Sequence, residues 1–366
     1  MFFPEKRGFF LEGASNFDFA SYESNNFGPS RNVAVVPFFT RRIGLDANGD
    51  PQKIEYGVKL NGTAGRQDIG VMHIRTGEEG TEPGEEISAV RVRRNVLRQS
   101  YIGGLYTRRQ AHDGAGLVAP LRTFDALQTV GADYRLGTTT FRRNQQLFTT
   151  GYVLKTLNPL VSDKNGAWGA SVDYPNDRYV ARFSYREVQE NYNPSLGFTL
   201  RNGYRRFAPE VRFQPRPRTP RGRTRFNVQQ FQFAVQGDVQ YVTATGDPLI
   251  RQWDFTVFQA NLQSQEQLQI HVIPTYEKLD RPFTLGYGIG QSAVLPRGTE
   301  ASYNRFRVQF RTADRRKLAV TTNLETGSFY TGSRDQLSFD VGIRPRRGIV
   351  LYLYSEWNKL DLAQKQ

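Results

Sequence analysis

The side chains that most often carry chemistry are few in this sequence. It contains three histidines, His73, His112 and His271, and no cysteine among its 366 residues. Without thiolates, a zinc site would need carboxylates from distant parts of the chain, and no histidine has a partner at metal-ligand spacing. The sequence therefore predicts no metal site and no cofactor. His271, on the polar side of its run, is either a titratable pore-lining group or an ordinary polar residue.

Two further patterns bear on an enzymatic function. His112 and Asp113 are adjacent in a glycine-rich loop, and a histidine with a carboxylate can act as a general base in a hydrolase. Adjacent loop residues rarely orient each other, however. The run GYGIG at 286–290 lacks the following helix that a phosphate-binding loop needs, so its glycines are better explained by bends or close packing in a strand. We therefore expect that the chain has no catalytic residue and is not an enzyme.

Arginines alternate with apolar residues in two parts of the chain. Val90 and Val92 alternate with arginines, and so do Phe306, Val308 and Phe310. If the apolar side chains face lipid, these arginines must point into a lumen, where arginine rings favour anions. Alternatively, aspartates and glutamates on neighbouring strands neutralise their charge. The candidate residues facing the lumen and anions are Arg91, Arg93, Arg305, Arg307 and Arg311.

A second group of arginines lies in the proline-rich segment 214–225. The segment either binds a polyanion such as lipid phosphate or is a solvated turn between two strands. A nucleic-acid partner is not expected, because aromatic residues are not interleaved with the basic ones. The candidate polyanion-binding residues of this loop are Arg216, Arg218, Arg221, Arg223 and Arg225.

Strict alternation of apolar and polar residues indicates that these side chains are positioned by β-strands. It is present at 53–61, 90–93, 179–186, 230–241, 268–272, 305–311 and 337–344, with turn-forming residues between the runs. The sequence therefore predicts an all-β fold, a large antiparallel up-and-down transmembrane β-barrel of about 14–18 strands. Residues 1–30 alternate weakly and are predicted to form an N-terminal segment at the rim or across the lumen, with the barrel domain at 31–366.

The composition agrees with a membrane barrel, in which only every second side chain meets lipid. Mean hydropathy is −0.57 and no apolar stretch is long enough for a transmembrane helix. There are 26 phenylalanines and 18 tyrosines, residue types that form girdles at membrane interfaces. The net charge of +14 predicts attraction to anionic partners. A soluble β-sandwich array is the alternative that composition leaves open.

Several motifs resemble a Bacteroidota-type outer-membrane β-barrel family of unknown function. They are EKRGFFLEG at 5–13, FFTRRIG at 38–44, NYNPSLGF at 191–198, the strand end FQPRP at 213–217 and GSFYTG at 327–332. The resemblance covers nearly the whole chain. It implies a barrel whose full-length relatives carry an N-terminal family-9-like carbohydrate-binding domain, which these residues lack.

The two ends of the sequence suggest a piece of a longer protein. The start has no apolar core of a secretory signal, although an outer-membrane barrel must be exported. Members of the resembled family continue through a few more strands beyond the strand predicted at 349–357. A barrel without closing strands would leave open edges in lipid, so we expect an incomplete C-terminus, a missing signal and a missing upstream domain.

The resulting hypothesis is an outer-membrane barrel that serves as a membrane anchor or channel, and the resemblance implies a link to surface carbohydrate binding or uptake. Its expected partners are outer-membrane lipid and lipopolysaccharide, together with anionic solutes or glycans. The alternative is a soluble β-rich protein that binds carbohydrate or a polyanion.

Overall fold

The structure is a computed structural model that describes residues 5–20, 35–45, 49–80, 83–112, 126–158, 161–217, 227–288 and 291–362. Two of the sequence predictions fall wholly or largely outside these residues. Asp113 and the side chain of His112 are not described, so the predicted His–Asp pair lies outside them. The same holds for four of the five loop arginines: Arg218, Arg221, Arg223 and Arg225.

Within the described residues the chain forms twenty strands and three short helical turns. The helical turns are α1 (Gly8–Leu11) and the 3-10 segments Ala14–Phe17 and Thr40–Arg42. The strands are β1 (Val35–Val36), β2 (Ile54–Ala64), β3 (Gln67–Thr76), β4 (Gly84–Leu97), β5 (Ser100–His112), β6 (Leu127–Phe141), β7 (Gln145–Leu157), β8 (Gly166–Pro175), β9 (Tyr179–Val188), β10 (Phe198–Thr199), β11 (Tyr204–Phe213), β12 (Val228–Val242), β13 (Pro248–Leu262), β14 (Gln267–Lys278), β15 (Phe283–Gly288), β16 (Gln291–Leu295), β17 (Glu300–Arg311), β18 (Leu318–Phe329), β19 (Gly332–Ile343) and β20 (Leu351–Asp361).

Sixteen of the described strands form one large antiparallel sheet. Its order is β2-β3-β4-β5-β6-β7-β8-β9-β11-β12-β13-β14-β17-β18-β19-β20, while β1 pairs with β10 and β15 with β16. The runs that alternate in the sequence fall on β2, β4, β9, β12, β14, β17 and β19, because a period of two matches the pleat of a strand. The all-β class is confirmed, and the sheet falls within the predicted strand number.

The chain divides into two compact units. The described residues of the first unit lie within 5–173 and Ser184–Arg205, and those of the second lie within Tyr174–Phe183 and Arg206–Gln366. The first unit therefore holds β2–β7 and most of β8, and the second holds β11–β20 apart from the first residues of β11. Each unit is described by itself below.

The first unit combines consecutive hairpins with chain segments that lie on one face of its sheet. These segments are 5–20, 35–45 and 189–199, and they carry the short helical turns and the β1–β10 pair. Their apolar side chains pack against β3 and β4 in a buried cluster formed by Phe10, Phe17, Ile43, Met72, Ile74, Ile87, Ala89 and Leu196. Burying an aromatic or aliphatic side chain of this size contributes about 1.5–3 kcal/mol, so the cluster is the main apolar core of the unit.

The second unit is built mostly from neighbouring hairpins. Gly246, in the turn between β12 and β13, has a φ of +76°, which a residue without a Cβ adopts at no steric cost. The exception to the simple hairpin order is the β15–β16 pair, which is inserted between β14 and β17. The glycine-rich run predicted to be part of a strand begins in β15, at Gly286.

Candidate functional site

The two faces of the sheet differ sharply in chemistry in the second unit. The register of its last strands places Ile270, Val308, Leu324, Leu337 and Trp357 directly opposite one another on five neighbouring strands. Opposed residues share a face of the sheet, so these side chains form one continuous apolar row. The row is open rather than covered, since Trp357 is 56% exposed and Leu324 is 45% exposed. We call this side of the sheet the apolar face.

One residue along each strand, the register aligns a row of the opposite character. It consists of His271, Arg307, Glu325, Gln336 and Asn358. Successive side chains of a strand point to opposite sides, so this row lies on the other side of the same sheet. We call this side the polar face.

The first unit has the same two faces. Ile69, Val92, Gly104, Ala132, Val153 and Trp168 are aligned on its apolar face across six strands. Val153, the fifth residue of this row, is 54% exposed. The adjacent row on the polar face is Asp68, Arg93, Gly103, Asp133, Tyr152 and Gly169. Exposed apolar and buried charged side chains are therefore a property of both units.

Arg91 forms a fully buried ion pair on the polar face of the first unit. Its guanidinium donates to both carboxylate oxygens of Asp133, at 2.7 and 2.8 Å, and neither side chain is exposed at all. Its Nε also donates to the backbone carbonyl of Asp18 at 3.1 Å, and its guanidinium lies over the ring of Phe19. The bidentate geometry is the strongest that an arginine and a carboxylate can adopt. Arg91 thus ties β4 and β6 to the segment 5–20.

A glycine makes room for this ion pair. A Cβ added to Gly103, on β5 between the two partners, would lie 2.6 Å from Arg91 Nη1 and 2.9 Å from Asp133 Oδ1. Real Cβ atoms do not approach other atoms so closely. Any larger residue at position 103 would displace one of the two charged groups.

The charged groups on the polar face of the second unit are shared among several partners. Glu325 accepts hydrogen bonds from Arg305 Nε at 3.0 Å and from Arg307 Nε at 2.7 Å. Arg305 is 4% exposed, whereas the side chain of Arg307 is 36% exposed and lies 3.9 Å from Asp254. His271 Nδ1 lies 2.6 Å from the same Asp254. An unpaired buried charge is unfavourable, and here the carboxylates and guanidinium groups offset that cost for one another.

Each of the five arginines predicted to face anions has a carboxylate partner. Besides the contacts above, Arg93 donates to Asp68 at 2.9 Å and Arg311 pairs with Asp314. This arrangement is the neutralisation that the sequence left open as the alternative to an anion-binding ring. In the loop predicted to bind polyanions, Arg216 is exposed and pairs with Asp177. Anion binding by either group remains a prediction.

Three of the motifs that suggested a family resemblance meet on the polar face of the first unit. Arg7, from the first motif, donates to the carbonyl oxygens of Ile43 at 2.7 Å and Thr40 at 2.9 Å, in the second motif. Arg42, also in the second motif, donates to the carbonyl oxygen of Gly197 at 2.8 Å, in the third. These hydrogen bonds hold the three segments together. The role of residues 1–30 at a rim or across a lumen remains a prediction.

The third segment is fixed to the sheet by hydroxyl groups. The Ser195 side chain is fully buried and lies 2.6 Å from Thr107 Oγ1, while its backbone N–H donates to Thr129 Oγ1 at 2.8 Å. Burial raises the pKa of the Tyr192 hydroxyl, in the same segment. Among the residues that the structure describes, Ser195 has two threonine hydroxyl neighbours and no hydrogen bond to a histidine or carboxylate base, so the cluster is explained by packing.

The first segment carries a perturbed carboxyl group. Arg7 Nε donates to Glu5 Oε1 at 2.9 Å and Thr40 Oγ1 donates to Glu5 Oε2 at 3.0 Å. The hydrogen bonds from Arg7, followed by those from Thr40, lower the pKa of Glu5 to about 2 despite partial desolvation. The Glu5 carboxylate is therefore ionised at neutral and mildly acidic pH.

The two histidines whose side chains the structure describes form ordinary polar contacts. His73 Nδ1 lies 2.9 Å from Ser88 Oγ, and His271 Nε2 lies 3.1 Å from Gln269. Among the described residues, no three His, Asp or Glu side chains gather into a cluster that could hold a metal ion. His271 lies on the polar face, as predicted from its run.

Sequence reasoning missed the partners and the spacer of the buried ion pair. Asp133 and Gly103 lie on strands other than that of Arg91. A local sequence pattern does not indicate which carboxylate pairs with Arg91. It also missed that the family-like motifs at 5–13, 38–44 and 191–198 contact one another. Their common signal, a departure from strict alternation with clustered aromatic residues, could have marked them as segments outside the sheet.

Within the described segments, no helix has the length and apolar character that crossing a membrane would require. Comparison with protein-family models, with curated proteins and with solved structures finds no match to this chain.

Proposed function

We propose that this chain is a membrane-spanning β-protein of the bacterial outer membrane, a barrel of the up-and-down type that serves as an anchor or a channel. The observation that carries the proposal is the pair of adjacent rows in each unit. In the second unit, the row from Ile270 to Trp357 is apolar, with Val308, Leu324 and Trp357 exposed, and the row one residue away is polar. Such alternation, with apolar side chains outside, is the pattern of lipid-facing strands.

Physical chemistry favours lipid over water on the apolar face. Moving a valine, leucine or phenylalanine side chain out of water stabilises a protein by about 1.5–3 kcal/mol. Exposed side chains of these types lie on several strands of each unit. Soluble proteins rarely expose contiguous apolar patches of more than a few hundred Å². If the side chains of Val153, Val308 and Leu324 face hydrocarbon, their unfavourable contact with water is removed.

Antiparallel pairing also satisfies the backbone within the sheet. The strands β2–β7 and β12–β20 hydrogen-bond to neighbours along most of their length, apart from local bulges. In hydrocarbon each unpaired backbone group would be unfavourable by several kcal/mol, so regular paired strands are required. The link to surface carbohydrate binding or uptake rests on the family resemblance and belongs to this proposal as an association of the full-length protein.

The three tryptophans allow a direct test of the membrane assignment. Trp357 and Trp168 lie in the apolar rows, and Trp253 is opposite Gly237 on β12. We expect phosphatidylcholine with brominated acyl chains to quench the tryptophan fluorescence of the reconstituted chain strongly, and iodide in the water phase to quench it weakly. Trp357→Phe should reduce the lipid-dependent part of the signal.

The opposite outcome would support the alternative function. A monomer that stays dispersed without detergent, with tryptophans quenched by iodide but not by brominated lipid, indicates a soluble β-protein that binds carbohydrate or a polyanion. Single-channel recordings on the complete gene product then separate the channel from the anchor. Discrete conductance steps identify a channel, and their absence leaves the anchor.

A further inference from the structure

The turns at one end of the second unit form a basic surface. In an antiparallel sheet successive turns alternate between the two ends, so the β13–β14, β17–β18 and β19–β20 turns lie at the same end. These turns, at 263–266, 312–317 and 344–350, contain two carboxylates, Glu266 and Asp314. They contain six cationic side chains: Arg315, Arg316, Lys317, Arg344, Arg346 and Arg347. We call this group the basic turn patch.

Contacts between the turns make the patch continuous. Arg316 Nε donates to Glu266 Oε1 at 2.7 Å, which joins the first two turns. The backbone N–H of Arg344 donates to the carbonyl oxygen of Lys317 at 2.7 Å, which joins the second and third. Arg315, Arg346 and Arg347 are exposed and have no carboxylate partner among the described residues. Excess positive charge therefore remains free on this surface.

The opposite end of the same unit is electrically balanced. Its described turns, at 243–247, 279–282, 296–299 and 330–331, contain Asp247 and Asp280 together with Arg281 and Arg297. The nearby Lys278 pairs with Glu300 at 2.8 Å. The positive excess is thus a property of one end and not of the turns in general.

An exposed apolar rim lies directly beside the patch. Leu318, Ile343 and Leu351 are opposite one another on β18, β19 and β20, and Leu318 is 54% exposed. Leu318 follows Lys317 in the chain and Ile343 precedes Arg344. Apolar side chains that end against a band of cations match the edge of a lipid leaflet, where acyl chains give way to phosphates.

We propose that the basic turn patch binds the phosphate headgroups of anionic lipid, with the rim of Leu318, Ile343 and Leu351 against the adjoining acyl chains. The inference rests on the membrane-spanning function proposed above and names the lipid chemistry that the chain selects at one end. Free anions of the same charge would be held by the patch alone, whereas a lipid engages both the patch and the apolar rim.

The test uses the whole chain in neutral maltoside micelles, titrated with short-chain phosphatidylglycerol and with phosphatidylcholine of the same chain length. We expect phosphatidylglycerol to bind more tightly and its affinity to fall with added salt. In the variant Arg315→Gln/Arg346→Gln/Arg347→Gln the affinity should drop, by up to about fivefold for each cation near an anionic lipid surface. The matched control Arg281→Gln/Arg297→Gln/Lys359→Gln removes the same charge elsewhere and should keep the affinity.

Three results would overturn the proposal. Equal affinity of the patch variant and the wild type would remove the patch from lipid binding. An equal loss in the control variant would reduce the effect to net charge. Inorganic phosphate that binds as tightly as phosphatidylglycerol would assign the patch to free anions. These outcomes differ from failure of the membrane assignment, because quenching by brominated phosphatidylcholine, a lipid without net charge, reports on the apolar face alone.

Discussion

The two units carry the same pair of faces but stabilise their polar faces in different ways. In the first unit, chain segments cover the polar face, and its central ion pair of Arg91 and Asp133 is sealed from solvent. In the second unit, Glu325 is shared by two arginines and Arg307 keeps about a third of its side chain exposed. In the first unit, the stability of the buried charge therefore depends on a single partner. In the second unit, each charge is stabilised by several partners or by water.

The largest expected effect is on the sealed ion pair. Asp133→Ala leaves Arg91 buried without its partner, and breaking a buried pair in this way costs about 3–5 kcal/mol of unfolding free energy. The matched change in the second unit, Glu325→Ala, should cost about 1–2 kcal/mol. Arg307 retains water and Asp254, and the buried Arg305 still donates to the backbone carbonyl oxygens of Gly327 and Arg334. Urea unfolding in micelles, followed by tryptophan fluorescence, measures both. Equal losses in the two variants would abolish the contrast between the units.

The spacer of the ion pair gives the next effect. Gly103→Ala places a methyl group against the Arg91 guanidinium and should cost about 1–3 kcal/mol, the usual range for an overpacked site. Gly104→Ala is the matched control, since its Cβ would meet its nearest neighbour at 3.8 Å, an ordinary contact. The same unfolding experiment compares them. A Gly103→Ala variant as stable as Gly104→Ala would show that the pair can shift without loss.

A smaller effect concerns the charge balance of the second unit. Glu325→Gln removes the carboxylate shared by Arg305 and Arg307, so an aqueous path along this face becomes more positive. If the protein conducts, we expect the preference for chloride over potassium to rise by about twofold, as added positive charge favours anions in pores. Reversal potentials in a salt gradient measure the preference. Glu5→Gln, which removes one negative charge in the covered first unit at little cost in stability, serves as the control and should leave the preference unchanged.

The smallest expected effect is a pH dependence in the first unit. The pKa of Glu5 is about 2 in the folded chain, below the ordinary value of 4.5. A depressed pKa contributes stability that is complete above the ordinary value and is lost as the pH falls towards the folded value. Because the cluster is close to solvent, we expect about 1 kcal/mol. Subtracting the unfolding free energies of Glu5→Gln from those of the wild type between about pH 5 and about pH 2 isolates it. If the difference in unfolding free energy does not change with pH, the pKa of Glu5 is not lowered in the folded chain.

The strands could be predicted because apolar and polar residues alternate, so the polarity of each residue in a strand such as β17 indicates the face on which it lies. Arg305 and Arg307 could be assigned to the polar face without a structure for that reason. The positions of Met72, Ile74 and Ile87 could not be assigned in this way. They lie on the polar side of β3 and β4 but are apolar, since they pack under Phe10 and Phe17 of an inserted segment. Where both faces of a strand are apolar, the period of two disappears from the sequence.

Which charges pair across the sheet was likewise beyond a local pattern. The Arg91–Asp133 contact joins residues on β4 and β6 and needs Gly103 between them, so it depends on the register of three strands at once. The sequence did identify Arg91 as a polar-face residue and left carboxylate neutralisation open. Only the three-dimensional register distinguishes a sealed pair from a shared carboxylate.

The hydrogen bond from Arg42 to Gly197 has a consequence for the route of assembly. It joins residues 155 positions apart, whereas the Arg305–Glu325 contact of the second unit joins residues 20 apart. Closing a long loop sacrifices more chain entropy before any contact rewards it, and proteins rich in distant contacts fold more slowly. Hairpins of the second unit can form between neighbouring strands without waiting for a distant segment of the chain. The first unit must wait for the segment around Ser195 before its polar face is covered, so its completion is expected to be the late step.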